Sequence, residues 1–123
     1  MIHLIANYPP SINNYYFRGR ILKDKGRDYR NYFVSTFIPD KTIEGRVKLI
    51  FELYVPDLKG RDLDNLLKST IDCLKHAKYF EDDKQVDYIS ITRKGLDRKN
   101  PRIEIFIDEI LDNDPLYVNI YKK

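Results

Sequence analysis

Two short stretches of this 123-residue chain carry the side chains best suited to chemistry: Arg61-Asp62-Leu63-Asp64-Asn65-Leu66-Leu67-Lys68 and Glu81-Asp82-Asp83. Asp62 and Asp64 stand two apart, so at an extended strand end both carboxylates point to the same side. A helix is expected to begin there. Leu63, Leu66, Leu67, Thr70, Ile71, Leu74 and Ala77 recur at helical spacing, Asp62 is the expected N-cap, and acids in a first turn are favoured by the helix dipole. Asp64, Lys68 and Asp72 lie four apart on the face opposite the leucines. A short connection through Lys78-Tyr79-Phe80 then returns Asp82 and Asp83 toward one end of that helix, and spacing alone does not say which. Two readings fit. One is a capped helix followed by an acidic turn; the other is a pocket where three or four carboxylates meet one lysine. Close carboxylates repel, so the second reading requires a cation. An all-oxygen site without His or Cys suits Mg²⁺ or Mn²⁺ rather than Zn²⁺.

The elements that must position these residues follow from periodicity. Ile2, Leu4 and Ala6 alternate toward Tyr8 as a first strand, ended by Pro9-Pro10. Ser11 to Asn14 has loop chemistry, and 15–25 reads as a loop or mobile arm jointed at Gly19 and Gly26. Tyr29, Tyr32, Phe33, Thr36 and Phe37 repeat at helical spacing before Pro39. Val47, Leu49, Phe51, Leu53 and Val55 alternate as the clearest strand, with one wholly apolar face to cover. Past the acidic turn, 86–94 and 102–108 are expected to be strands, antiparallel to each other by default. The segment from Leu116 to Tyr121 either adds an edge strand or packs on a partner chain. The order predicts a single α+β domain over 1–123, a core of 1–110 and a C-terminal extension of 111–123. It has a mixed sheet of about four to five strands, and two main helices lie largely on one face.

Composition narrows the class. Hydrophobic residues make up 42% and charged residues 33%, as in soluble globular proteins. No apolar run reaches membrane-spanning length, and the N-terminus lacks a signal-peptide pattern. The single Cys73 excludes an internal disulfide, fits a reducing cytoplasm, and reads as a small buried hydrophobe inside a helix. Net charge is only +3, but it is unevenly spread. Arg18, Arg20, Lys23, Lys25, Arg27 and Arg30 crowd one segment, a footprint suited to a phosphate backbone. Tyr15, Tyr16 and Phe17 beside it either stack on unpaired bases or fold inward.

Three blocks together resemble a known family. Pro9-Pro10-Ser11-x-Asn13-x-Tyr15-Tyr16, Arg61-Asp62-Leu63-Asp64-Asn65-Leu66-x-Lys68 and Asp82-Asp83-x-Gln85-Val86 are similar, in order and in gaps, to the RusA family of Holliday junction resolvases. The likeness runs to about Ile107. It implies a small homodimeric, Mg²⁺-dependent endonuclease, often prophage-encoded, that nicks four-way DNA junctions symmetrically and needs no small-molecule cofactor. Carried over by position, Asp62, Asp64 and Asp83 would be the essential metal-binding carboxylates, Asp82 a supporting one, and Lys68 the lysine of the site. Asn65 would hold the turn or a metal-bound water. Lys59 and Arg61, just before the acidic pair, would join the basic segment in binding DNA.

The chemistry agrees with the residues. Phosphodiester hydrolysis needs an activated water and charge stabilisation, which carboxylate-held divalent ions supply, and a lysine can neutralise developing charge. A two-fold dimer would match the symmetry of a four-way junction. Two other readings share these residues: a branched-DNA-binding protein with little cleavage, and a nuclease acting more broadly on flaps or forks.

Overall fold

Val47, Leu49, Phe51, Leu53 and Val55 are all buried, and the residues between them are half-exposed, so β4 (Arg46–Val55) has one core face. That strand is central to the fold. The computed structural model describes residues 1–18, 21–60 and 62–122. In it β1 (Ile2–Asn7), β4, β5 (Val86–Leu96) and β6 (Arg102–Ile110) form a four-stranded sheet in the order β1-β6-β4-β5. Only β4 and β5 run parallel; β1–β6 and β4–β6 are antiparallel, which makes the sheet mixed. The expected β5–β6 pair does not form, because β4 lies between them. A nine-residue register, Arg46↔Ile110 to Tyr54↔Arg102, buries Ile103, Ile105 and Ile107 beside the apolar face of β4.

Parallel neighbours need a crossover, and α3 (Asp64–His76) supplies it between β4 and β5. Helices α2 (Asp24–Thr36) and α3 contribute Tyr29, Phe33, Leu66, Cys73 and Leu74 to the same core cluster as the inner face of the sheet. The α+β class and the mixed sheet match expectation. Burial pushes the Cys73 thiol up to about 12, in keeping with a packing role.

Three local expectations need correction. Residues 12–15 form a short helix, α1 (Ile12–Tyr15), rather than a loop. Among the described residues beyond it, β2 (Tyr16–Phe17) pairs antiparallel with β3 (Ile21–Leu22) and α2 starts at Asp24, where a loop or arm is expected; the expected joint at Gly19 lies outside the described residues. Tyr15 is fully buried, and the Lys23 N–H donates to its carbonyl at 3.0 Å. Gly26 sits inside α2 because the helix crosses Tyr15 too closely for a side chain. A Cβ there would meet the Tyr15 oxygen at 2.3 Å. At the other end, residues 115–121 form a helix, α4 (Pro115–Tyr121), and not the edge strand that is one of the two expectations. Asp114 caps it by accepting from the Leu116 N–H, and Pro115 occupies the first turn. Its Tyr121 hydroxyl donates to Asp87 at 2.7 Å.

Candidate active site

The start of α3 differs from the capped helix that spacing predicts. Leu63, the residue before the first helical position, already has helical angles and gives no side-chain cap. The Asn65 and Leu66 N–H groups donate three residues back, to Asp62 O and Leu63 O, both at 3.2 Å. A tight turn of this kind satisfies the first N–H groups through backbone carbonyls, so Asp62 is not the side-chain cap. Asp64 is the first helical residue, where the positive end of the helix dipole favours its charge.

The end of α3 directs the chain back. Lys78 adopts a left-handed φ of 70°; its N–H donates to Lys75 O, and the Tyr79 N–H donates to Leu74 O. This is the Schellman arrangement, built here without glycine. Tyr79 and Phe80 then enter the core. Asp82 next starts a 3₁₀ turn over Asp83–Gln85, accepting from the Lys84 N–H at 2.9 Å. Gln85 accepts from the Glu81 and Asp82 N–H groups and donates from Nε2 to the Ile43 and Gly45 carbonyls, at 2.9 and 2.8 Å. The acidic turn is thereby fastened to the approach to β4. The Lys84 N–H, then the Asp83 side chain, hold the Asp82 carboxyl below the usual range.

The two acidic stretches, far apart in the chain, meet in one cavity of about 470 Å³. Asp64, Lys68, Ile71, Asp72 and Lys75 line it from α3, Asp83 from the 3₁₀ turn, Tyr16 from the hairpin, and Val86 and Ile89 from β5. The Lys68 ammonium lies 5.3 Å from the centre of the Tyr16 ring, a cation–π contact that holds it at the cavity wall. Asp62 and Asn65 line a different cavity of about 390 Å³, together with Pro9, Pro10, Ser11 and Asn14. Asp82 lines neither of these two cavities. Among the described residues, no three His, Cys, Asp or Glu side chains gather as a metal-holding set. Three carboxylates, Asp64, Asp72 and Asp83, line the cavity with no His or Cys among its described lining residues, and Arg30 already holds Asp72, which leaves the pair Asp64 and Asp83. A hard divalent cation commonly takes one or two carboxylates and fills its remaining positions with water and substrate phosphate, so this oxygen-only pair fits such an ion.

Asp72 on the cavity wall is already engaged. Arg30 donates to its Oδ2 from Nη2 at 2.7 Å and from Nε at 3.2 Å, and the Tyr15 hydroxyl donates to the same oxygen. Burial alone would raise the Asp72 pKa, but the Tyr15 and Arg30 hydrogen bonds outweigh it and hold the carboxyl below its ordinary range. Burial and the nearby Asp72 push the Tyr16 hydroxyl up to about 12. Within the basic segment, Arg18, Lys23, Lys25 and Arg27 are exposed, as is Lys59. Arg30 instead turns inward to Asp72, and Arg20 and Arg61 lie outside the described residues.

Sequence reasoning did not single out Tyr16 as a cavity residue or Lys75 as a second cation. Lys75 continues the Asp64–Lys68–Asp72 stripe by three residues, a signal present in the helical spacing. The Arg30–Asp72–Tyr15 group joins three elements and left no trace in local pattern.

The family described as Endodeoxyribonuclease RusA matches residues 8–108. The chain is similar to the crossover junction endodeoxyribonuclease rusA of Enterobacteria phage HK97, at 37% identity over 86% of this chain and 92% of the relative. It is 33% identical to the protein of that name from Enterobacteria phage 82, over 88% of this chain and 94% of the relative. For the Escherichia coli K12 protein of that name the figures are 34%, 84% and 90%. With a family match across most of its length and both acidic stretches inside it, the chain belongs to the RusA family of endodeoxyribonucleases.

Proposed function

We propose that this chain is a Mg²⁺-dependent endodeoxyribonuclease that resolves four-way DNA junctions by paired symmetric nicks, as a homodimer, in DNA recombination and repair. The observation that carries the reading is the convergence of Asp64, Lys68 and Asp83 on one cavity, from stretches separated by the whole of α3. Relatives named crossover junction endodeoxyribonuclease, aligned over nine-tenths of their length, support the substrate class.

Asp64 and Asp83 would hold Mg²⁺, or Mn²⁺ in its place. When bound, such an ion lowers the pKa of a water and offsets charge on the phosphate. Lys68, a compact cation fixed over Tyr16, is placed to neutralise the charge that develops on the scissile phosphate. Lys75 brings a second positive charge to the same cavity. Arg30 neutralises Asp72 and Tyr15 donates to it, so the wall behind Lys68 does not repel a phosphate as strongly as a bare carboxylate would. Asp62 and Asn65 act from the adjoining cavity, on the chain flanking the first turn of α3. Asp82 shapes the turn that presents Asp83. The exposed Arg18, Lys23, Lys25, Arg27 and Lys59 hold the junction arms through phosphates.

Cleavage of labelled four-way, three-way and linear DNA with Mg²⁺ tests the reading. Paired nicks confined to the four-way junction are expected. Equal cutting of flaps and forks would assign a broader nuclease, and binding without cutting would assign a branched-DNA-binding protein.

A further inference from the structure

The hairpin beside the cavity exposes an apolar pair that its own fold does not use. Phe17 and Ile21 are cross-strand partners in β2 and β3, and they are 49% and 62% exposed. Successive residues of a strand face opposite ways. Tyr16 therefore faces the Asp64–Asp83 cavity while its neighbour Phe17 faces outward. One cation touches the pair and another follows it in the chain: the Arg18 guanidinium lies 5.2 Å from the Phe17 ring centre, and Lys23, next to the end of β3, is exposed. Arg18 also has a left-handed φ of 53°, an uncommon conformation for a residue other than glycine, and it lies at the hairpin turn.

We propose that Phe17 and Ile21 form a wedge that enters the base stack at the branch point of a DNA junction. An apolar pair with the Arg18 cation against it complements a ligand with an anionic outside and an apolar, stacked inside. Nucleic-acid-binding proteins insert Phe, Ile and Leu between base steps in this way, at a cost in lost stacking. A branch point has interrupted stacking, so that cost is smallest there. Phe17 is one residue from Tyr16, and Tyr16 lies under Lys68. One hairpin strand thus presents Phe17 outward, where a branch point could be engaged, and Tyr16 inward to the cavity of Asp64 and Asp83. Selection of branched over linear DNA would then arise at the hairpin and cutting at the carboxylates. The inference rests on the junction-resolving reading.

The test uses a four-way junction carrying 2-aminopurine at the branch point, in EDTA so that no strand is cut. The wild-type chain is expected to raise the fluorescence as the base unstacks. The double variant Phe17→Ala/Ile21→Ala is expected to bind the junction without that rise and to cut it roughly tenfold more slowly in Mg²⁺. Phe17→Tyr should restore both. Both residues are exposed, and an unchanged melting temperature will verify that the hairpin variants fold. A wild-type rise from the double variant would overturn the wedge. So would a loss of self-association in sedimentation with the fluorescence unaltered, which would assign the pair to contact between copies. A wild-type chain that cuts junctions with no rise sinks the wedge alone; one that neither binds nor cuts them sinks the junction-resolving reading as well.

Discussion

Arg30 on α2 and Asp72 on α3 are joined by two hydrogen bonds to a single carboxylate oxygen, at 2.7 and 3.2 Å. The Tyr15 hydroxyl donates to that oxygen too, so three elements close on one charge behind the cavity. A half-buried ion pair of this kind stabilises only while both partners remain, because either one left alone is a poorly solvated charge.

Asp72→Asn is therefore expected to cost about 2–3 kcal/mol at neutral pH, measured by urea denaturation. The Asp72 pKa is lower in the folded chain than in the unfolded one, where an aspartate titrates near about 3.9. The stability it contributes is fully present above that unfolded value and is lost as pH falls through the lower folded value. A denaturation series from pH 7 down to pH 2 should thus show the wild-type and the variant converging in the acid.

Asp64→Asn is expected to keep junction binding and lose cutting by at least about a hundredfold, since one charge fewer weakens capture of the cation. Gel-shift and cleavage assays on the same preparation read both. Near wild-type cutting would remove Asp64 from the site.

Lys68→Ala should also slow cutting by roughly a hundredfold, with a stability change within about 0.5 kcal/mol because the side chain is exposed. Lys68→Arg keeps the charge but replaces a compact ammonium with a planar fork, and it should recover activity only in part.

Gly26→Ala sets two effects against each other. Alanine gains about 1 kcal/mol of helix propensity over glycine. Its Cβ, however, would lie 2.3 Å from a backbone oxygen of Tyr15, and backbone cannot swing aside as a side-chain tip can. Overpacking of this sort costs about 1–3 kcal/mol or more, so the net sign is expected to be destabilising, read as a lower melting temperature. The displaced Tyr15 carries Tyr16 with it, so cutting should fall as well.

Lys23→Ala and Lys25→Ala should each reduce the slope of log binding constant against log salt by about 1, as one phosphate contact is lost. Arg30→Ala should leave the slope unchanged, because that guanidinium faces Asp72.

Much of the sheet was legible because the period-2 pattern of β4 reports directly which face is covered. The pairing of β5 and β6 was not. Sequence neighbours are paired by default, whereas here β6 passes β5 and pairs with the far edge of β4, where Ile103, Ile105 and Ile107 continue its one apolar face. The acids and lysine of the cavity could be picked out by type, whereas their division between two cavities depends on how α3 begins. The supposed arm over 15–25 misled because its charge density suggests solvent while Tyr15, Gly26 and Tyr29 within and beside it are buried. Arg30 and Asp72 stand 42 residues apart, and no local periodicity links them.

Gln85 grips two carbonyls that precede the central strand. One amide side chain thus makes the position of Asp83 a property of the sheet foundation, and not of the surface bend that carries it. Laboratory selection for altered cutting should then recover substitutions at 43–45, in a stretch with no role in chemistry of its own, as readily as changes close to the carboxylates.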